Sequence, residues 1–167
     1  MIGVAYEIND YKRLTRGYLK DLRSWQRALD AWAQEKADID AELSSMPVAV
    51  SRYGGEPGGG SGEMNAVERL AERRIKLTNR ALSIDTDTRE LRRVMKNLET
   101  AIRTLDGADS QLVTLHYIDG RTWYDVADAL GYSMEGAKQK GYRAIGKIAV
   151  VLFGRKAESF ADVVLIA

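Results

Sequence analysis

Large apolar side chains recur in alternating steps of three and four at Tyr18, Leu22, Trp25, Leu29 and Trp32, then at Ile39 and Leu43. Lys36 is the one polar interruption. This spacing is a heptad seam rather than the broad stripe of a globular helix. Asp10, a good N-cap residue, sets the expected start of the helix. A second seam runs through Leu77, Ala81, Ile84, Thr88, Leu91, Met95, Leu98, Ile102 and Leu105, and extends back across Arg74 to Leu70 and Val67. Between the seams lies the stretch Pro47 to Glu63, which holds both prolines and Gly54, Gly55, Gly58, Gly59, Gly60 and Gly62. Such a composition keeps neither a helix nor a central strand, so residues 47–63 read as a linker. Two seams joined by a loop predict an antiparallel coiled-coil helical hairpin over residues 1–105.

Charge fits that pairing. From Asp30 to Glu42 the first helix carries five acids, Asp30, Glu35, Asp38, Asp40 and Glu42, against Lys36, and folding back sets them beside Arg69, Arg73, Arg74, Lys76 and Arg80. Exposed ion pairs select register and direction more than stability; two separately solvated faces are the alternative. Two helices alone leave long apolar stripes open to water, so homo-oligomer formation through the seams is expected.

After Leu105 the heptads stop and a compact pattern begins. Asp106 or Asp109 can cap a helix holding Leu112, Val113, Leu115, His116, Tyr117 and Ile118, and Asp119-Gly120 is a turn signal. Thr122 opens a second helix with Asp125 in capping-box position, packed through Val126, Ala127 and Leu130 and stopped at Gly131. Ser133 caps a third helix running from Met134 towards Val150. Small Ala127 and Ala137 at the crossing, with Gly131 in the turn, predict a helix-turn-helix in residues 106–156.

On a wheel of roughly 100° per residue, Ala137, Gly141, Ala144, Ile145 and Ile148 of the third helix face the core. Glu135, Gln139, Tyr142, Arg143 and Gly146 lie opposite, flanked by Lys138, Lys140 and Lys147. Gln and Arg can make paired hydrogen bonds to adenine and guanine edges, and lysines reach phosphates. These side chains, with Thr122 and Trp123 at the start of the second helix, are the candidate contacts to double-stranded DNA; a solvated face of an all-α domain is the bland alternative. Gly136, Gly141 and Gly146 each weaken an exposed helix by roughly 1 kcal/mol relative to Ala. Gly141 is expected to allow close packing, and the other two to leave the helix fully ordered only against DNA or a partner.

The run Leu112-Val113-Thr114-Leu115-His116-Tyr117, then Gly120, then Thr122 to Ser133, Ala137 to Lys140 and Tyr142-Arg143-Ala144 resembles region 4 of bacterial sigma-70-type factors. Gly141 stands where such factors usually carry leucine, and Ala137 where they carry valine. The layout of coiled-coil half, Gly-rich linker and terminal reading domain resembles phage-encoded late transcription regulators of the RinA/ArpU type. The resemblance implies activation of late or packaging genes, with host RNA polymerase as a partner. A small-terminase-like DNA-packaging protein and a polymerase-binding adaptor are the alternatives.

Composition excludes other chemistry. The 167 residues carry a formal net charge of +1, so any nucleic-acid surface must come from local clustering. From Ser133 to Lys156, Lys138, Lys140, Arg143, Lys147, Arg155 and Lys156 stand against Glu135 alone. No cysteine exists for a thiolate nucleophile or metal site, and His116 is the one histidine. No enzymatic activity, cofactor or metal is expected. The start, Met1 to Asn9, lacks a signal-peptide pattern and no apolar run reaches a membrane span, so a cytoplasmic location in a bacterial host is expected. The tail, residues 157–167, is apolar at Val163, Val164, Leu165 and Ile166 and is expected to dock rather than dangle.

Overall fold

The computed structural model describes residues 4–47 and 61–157. It is all-α, with no strand among the described residues. Helices α1 (Val4–Ser45) and α2 (Ser61–Arg103) are long; α3 (Gly107–Val113), α4 (Trp123–Leu130) and α5 (Met134–Phe153) are shorter. A π-helical turn, Thr114–Ile118, extends α3, and a 3₁₀ turn, Arg155–Ala157, follows α5. No described helix is long and apolar enough to cross a membrane. Most of the expected linker (residues 48–60) and all but Ala157 of the expected tail lie outside the described residues; α2 already includes Gly62 and Glu63.

Asp10 does not start α1. The helix passes through it from Val4, and its carboxylate pairs instead with Arg13 at 2.9 Å. No proline or glycine interrupts residues 4–10, and an Asp inside a helix costs too little to end one. The buried seam also reaches further back than its large residues indicate: Thr15 and Leu19 are fully buried, and the Thr15 hydroxyl donates to the Tyr11 carbonyl at 2.7 Å. On α2, Ile84, Met95 and Leu98 are buried, whereas Val67 is exposed.

The chain divides into two compact units, and the division falls within α1 and α2. One unit is Arg27–Leu91; the other takes the chain up to Gln26 and from Arg92 onward. In the first, Arg80 donates to both carboxylate oxygens of Glu35 at 2.6 and 2.8 Å, Arg73 pairs with Glu42, and Lys36 donates to Asp85 at 2.6 and 2.7 Å. Seven residues forward from Glu35 to Glu42 match seven backward from Arg80 to Arg73, so these stretches run in opposite directions. The Arg80 guanidinium holds Glu35 below its ordinary value; Glu35 in turn raises Arg80, Glu42 raises Arg73, and the Asp85 carboxylate raises Lys36. Lys36, an interruption in the apolar seam, is thus a cross-helix partner.

In the second unit α3, α4 and α5 pack around Leu112, Val126, Ala127 and Ala137, with Leu115, Trp123, Leu130 and Tyr132 against them. Asp106 caps α3, its carboxylate accepting from the Asp109 amide at 2.8 Å. The start of α1 packs on the far end of α5: Tyr11 and Tyr18 lie 5.2 and 6.2 Å from the Phe153 ring, and Ala149 is fully buried.

Candidate nucleic-acid interface

Each end of the α4–α5 corner is held by local chemistry. The Thr122 hydroxyl accepts from the Asp125 amide at 3.2 Å, while the Asp125 carboxylate accepts from the Thr122 amide at 3.3 Å and from its hydroxyl at 2.7 Å. This reciprocal box satisfies amides that a helix start leaves without partners. Gly131 closes α4 at φ 69°, in the left-handed region that L side chains rarely adopt. Two residues later Ser133 caps α5, its hydroxyl accepting from the Gly136 amide at 3.0 Å. Ala127 and Ala137 are buried where the helices cross.

The corner fixes which residues of α5 stay open. Ala137, Gly141, Ala144, Ile145 and Ile148 are buried. Glu135, Gln139 and Arg143, four apart, form an exposed row, with Tyr142 exposed beside them and Lys138 half-buried. The acidic Glu135 lies in the first turn, where the helix dipole favours negative charge. None of Glu135, Lys138, Gln139 and Arg143 has an ion pair or side-chain hydrogen bond among the described residues.

Other candidates are placed differently. Gly146, expected on the outward face, lies against α1, where a Cβ would meet Lys12 Cε at 3.8 Å. The open row therefore ends before Gly146, where Lys12 of α1 lies. Gly136 and Gly146 sit within a continuous helix. Lys147 donates to the Asp109 carboxylate at 3.1 Å, and Lys140 stands 3.9 Å from its other oxygen and 5.2 Å over the Tyr132 ring. Asp109 is buried, so two of the flanking lysines are held by one carboxylate. Thr122 uses its hydroxyl in the cap.

Trp123 points inward. Its ring stacks on His116 at 3.6 Å and meets Tyr117 and Tyr142 edge-on at 5.9 and 6.2 Å. His116 is fixed in turn, since Nδ1 donates to the Arg121 carbonyl at 2.7 Å. A Cβ at Gly141 would run into Trp123 Cη2 and lie 3.2 Å from Leu112 Cδ2. Gly141 is small because the indole occupies its space.

Sequence reasoning missed the cations that α1 brings to this unit. Arg23 donates from Nε to Asp119 at 3.0 Å, Lys12 flanks Gly146, and the charge of Arg16 acts on the Tyr117 phenol. Exposed Arg121 and Tyr124 stand at the start of α4. The basic residues at steps of four and seven on α1 were a signal, but nothing in the sequence alone tied them to Asp119, Tyr117 or Gly146.

Tyr117 sits in the π-helical turn, and its hydroxyl is buried without a hydrogen-bond partner among the described residues. Burial pushes its pKa up from 10.0 to about 12; Arg16 opposes the rise and Tyr142 adds to it. Burial disfavours the ionised phenol in the folded chain. Stability is independent of this proton below pH 10, where both states hold it, and falls as pH rises towards about 12 because the unfolded chain ionises first. Tyr117→Phe should raise stability at neutral pH, because an unpaired buried polar group costs about 1–3 kcal/mol. It should also flatten the fall in melting temperature between pH 10 and about 12. Thermal melts of both proteins across that range test this; a Phe variant that melts lower at neutral pH contradicts it.

No family model matches the chain, and neither the curated proteins nor the solved structures it was compared with include a match.

Proposed function

We propose that the chain is a sequence-specific DNA-binding transcription regulator. In this reading α3–α5 form a helix-turn-helix reading domain, α5 enters the major groove, and the antiparallel stretches of α1 and α2 form a coiled-coil hairpin for assembly. The observation that carries it is the open row Glu135, Gln139 and Arg143 on the first half of α5, set directly after a left-handed glycine turn and a capped helix start. Reading helices present base-contacting side chains from this part of the helix. The guanidinium fits guanine, the amide fits adenine, and the carboxylate can accept from cytosine. Lys138 adds a cation on the flank. The resemblance to sigma region 4 and to phage late regulators adds the setting: activation of late or packaging genes with host RNA polymerase.

Footprinting of the full chain on its source genome tests the reading. A protected site next to a promoter is the expected result. Protection at a packaging start points instead to a small-terminase-like role. No protected site, together with retained binding to RNA polymerase, makes the exposed row a protein-docking face and overturns the DNA reading.

A further inference from the structure

A second apolar stripe lies on α2, away from its buried seam. Ile75 and Leu82 are each 60% exposed. At roughly 100° per residue they fall on the side opposite Leu77, Ala81 and Ile84. The same seven-residue step leads back to Glu68 and on to Arg89, both exposed. Neither has an ion pair or side-chain hydrogen bond among the described residues. The stripe is acidic at one end, apolar in the middle and basic at the other.

We infer that this stripe is the contact between two copies of the chain, laid antiparallel about a twofold axis passing between Thr78 and Asn79. In that register Ile75 of one copy meets Leu82 of the other, and Glu68 meets Arg89, each pair occurring twice. Ala71 falls opposite Thr86, so small side chains let the helices approach. Glu72 falls opposite Asp85, whose charge Lys36 already neutralises at 2.6–2.7 Å. Parallel alignment would set Glu68 on Glu68 and Arg89 on Arg89. The apolar contact is narrow, so the charges decide direction and partner. All these residues belong to the Arg27–Leu91 unit, and the inference stands independently of the DNA reading.

Sedimentation equilibrium of the full chain and its variants tests the proposal, with circular dichroism to establish that each variant is folded. The parent should dimerise. Glu68→Arg and Arg89→Glu should each weaken the dimer by about tenfold, through two exposed pairs per dimer. Combining them should restore it, because the swapped charges again attract. Ile75→Lys should give folded monomer. The chain has no cysteine, so a mixture of Ile75→Cys and Leu82→Cys chains should form the mixed disulfide in preference to either homodimer. A monomeric parent, a double swap as weak as its singles, unchanged assembly of Ile75→Lys, or preferential linkage of Ile75→Cys to itself would overturn it.

Discussion

Gly141→Leu should destabilise the unit containing α3–α5 by about 3 kcal/mol, the upper end of the usual cost of overpacking. The indole of Trp123 already fills the position a side chain would take, and it has little freedom to move. His116 stacks on one face at 3.6 Å, Tyr117 and Tyr142 meet it edge-on, and the hydrogen bond to the Arg121 carbonyl fixes His116 itself. Helix propensity acts in the opposite direction, since replacing a helical glycine gains up to about 1 kcal/mol. Gly141→Ala should therefore lose stability by less than the leucine. Gly146 gives the contrasting case. A Cβ there meets only the end of Lys12, at 3.8 and 3.9 Å, so propensity decides the sign and Gly146→Ala should stabilise by about 0.5–1 kcal/mol. Denaturant unfolding of the three variants would measure these opposite signs. Adding Trp123→Ala to Gly141→Leu should recover part of the loss, because the leucine then enters the vacated space. A leucine variant as stable as the parent would sink this account of Gly141.

The same pair of residues marks how much of the fold the sequence reveals. Caps were legible because their chemistry is local: Thr122 with Asp125, Gly131 and Ser133 each act within a few residues, and each holds its expected position. Ala127 and Ala137 were legible as small residues at a helix crossing. That Gly141 allows close packing was legible too; that the indole of Trp123 is what packs there was not, because Trp123 lies on a different helix. The second packing face of α5 was hidden for a similar reason. Gly146 and Ala149 look like outward or neutral positions until α1 arrives, as when Arg23 reaches Asp119 from 96 positions away. The π-helical turn left no mark in the apolar pattern either, since Leu112, Val113 and Leu115 fit an α-helical continuation equally well. Asp109 was legible as a possible cap, but Asp106 took that position and Asp109 became the buried partner of two lysines.

That last exchange changes what substitution of the exposed row should reveal under the proposed DNA-binding function. Arg143→Ala and Gln139→Ala should each weaken binding to the specific site by about 1–3 kcal/mol, roughly 5- to 150-fold, and relax preference at one base position. Both side chains are exposed and without ion-pair partners among the described residues, so folding should be unaffected. Lys138→Ala should weaken binding to all duplexes alike and reduce the slope of log affinity against log salt by about one, as one phosphate contact is lost. Lys140 and Lys147 should not behave as simple phosphate contacts, because Asp109 holds both. Asp109→Asn should instead release them, strengthening binding to any duplex and steepening the salt slope by up to about two. Gel-shift titrations of these variants on specific and random duplex, at two salt concentrations, separate base reading from general cationic attraction. If Gln139→Ala and Arg143→Ala bind both duplexes as the parent does, α5 is not the reader. If they lose RNA polymerase while DNA binding stays intact, the exposed row docks protein. Only loss of discrimination at Gln139 and Arg143, with the lysine effects blind to sequence, fits a helix that reads bases.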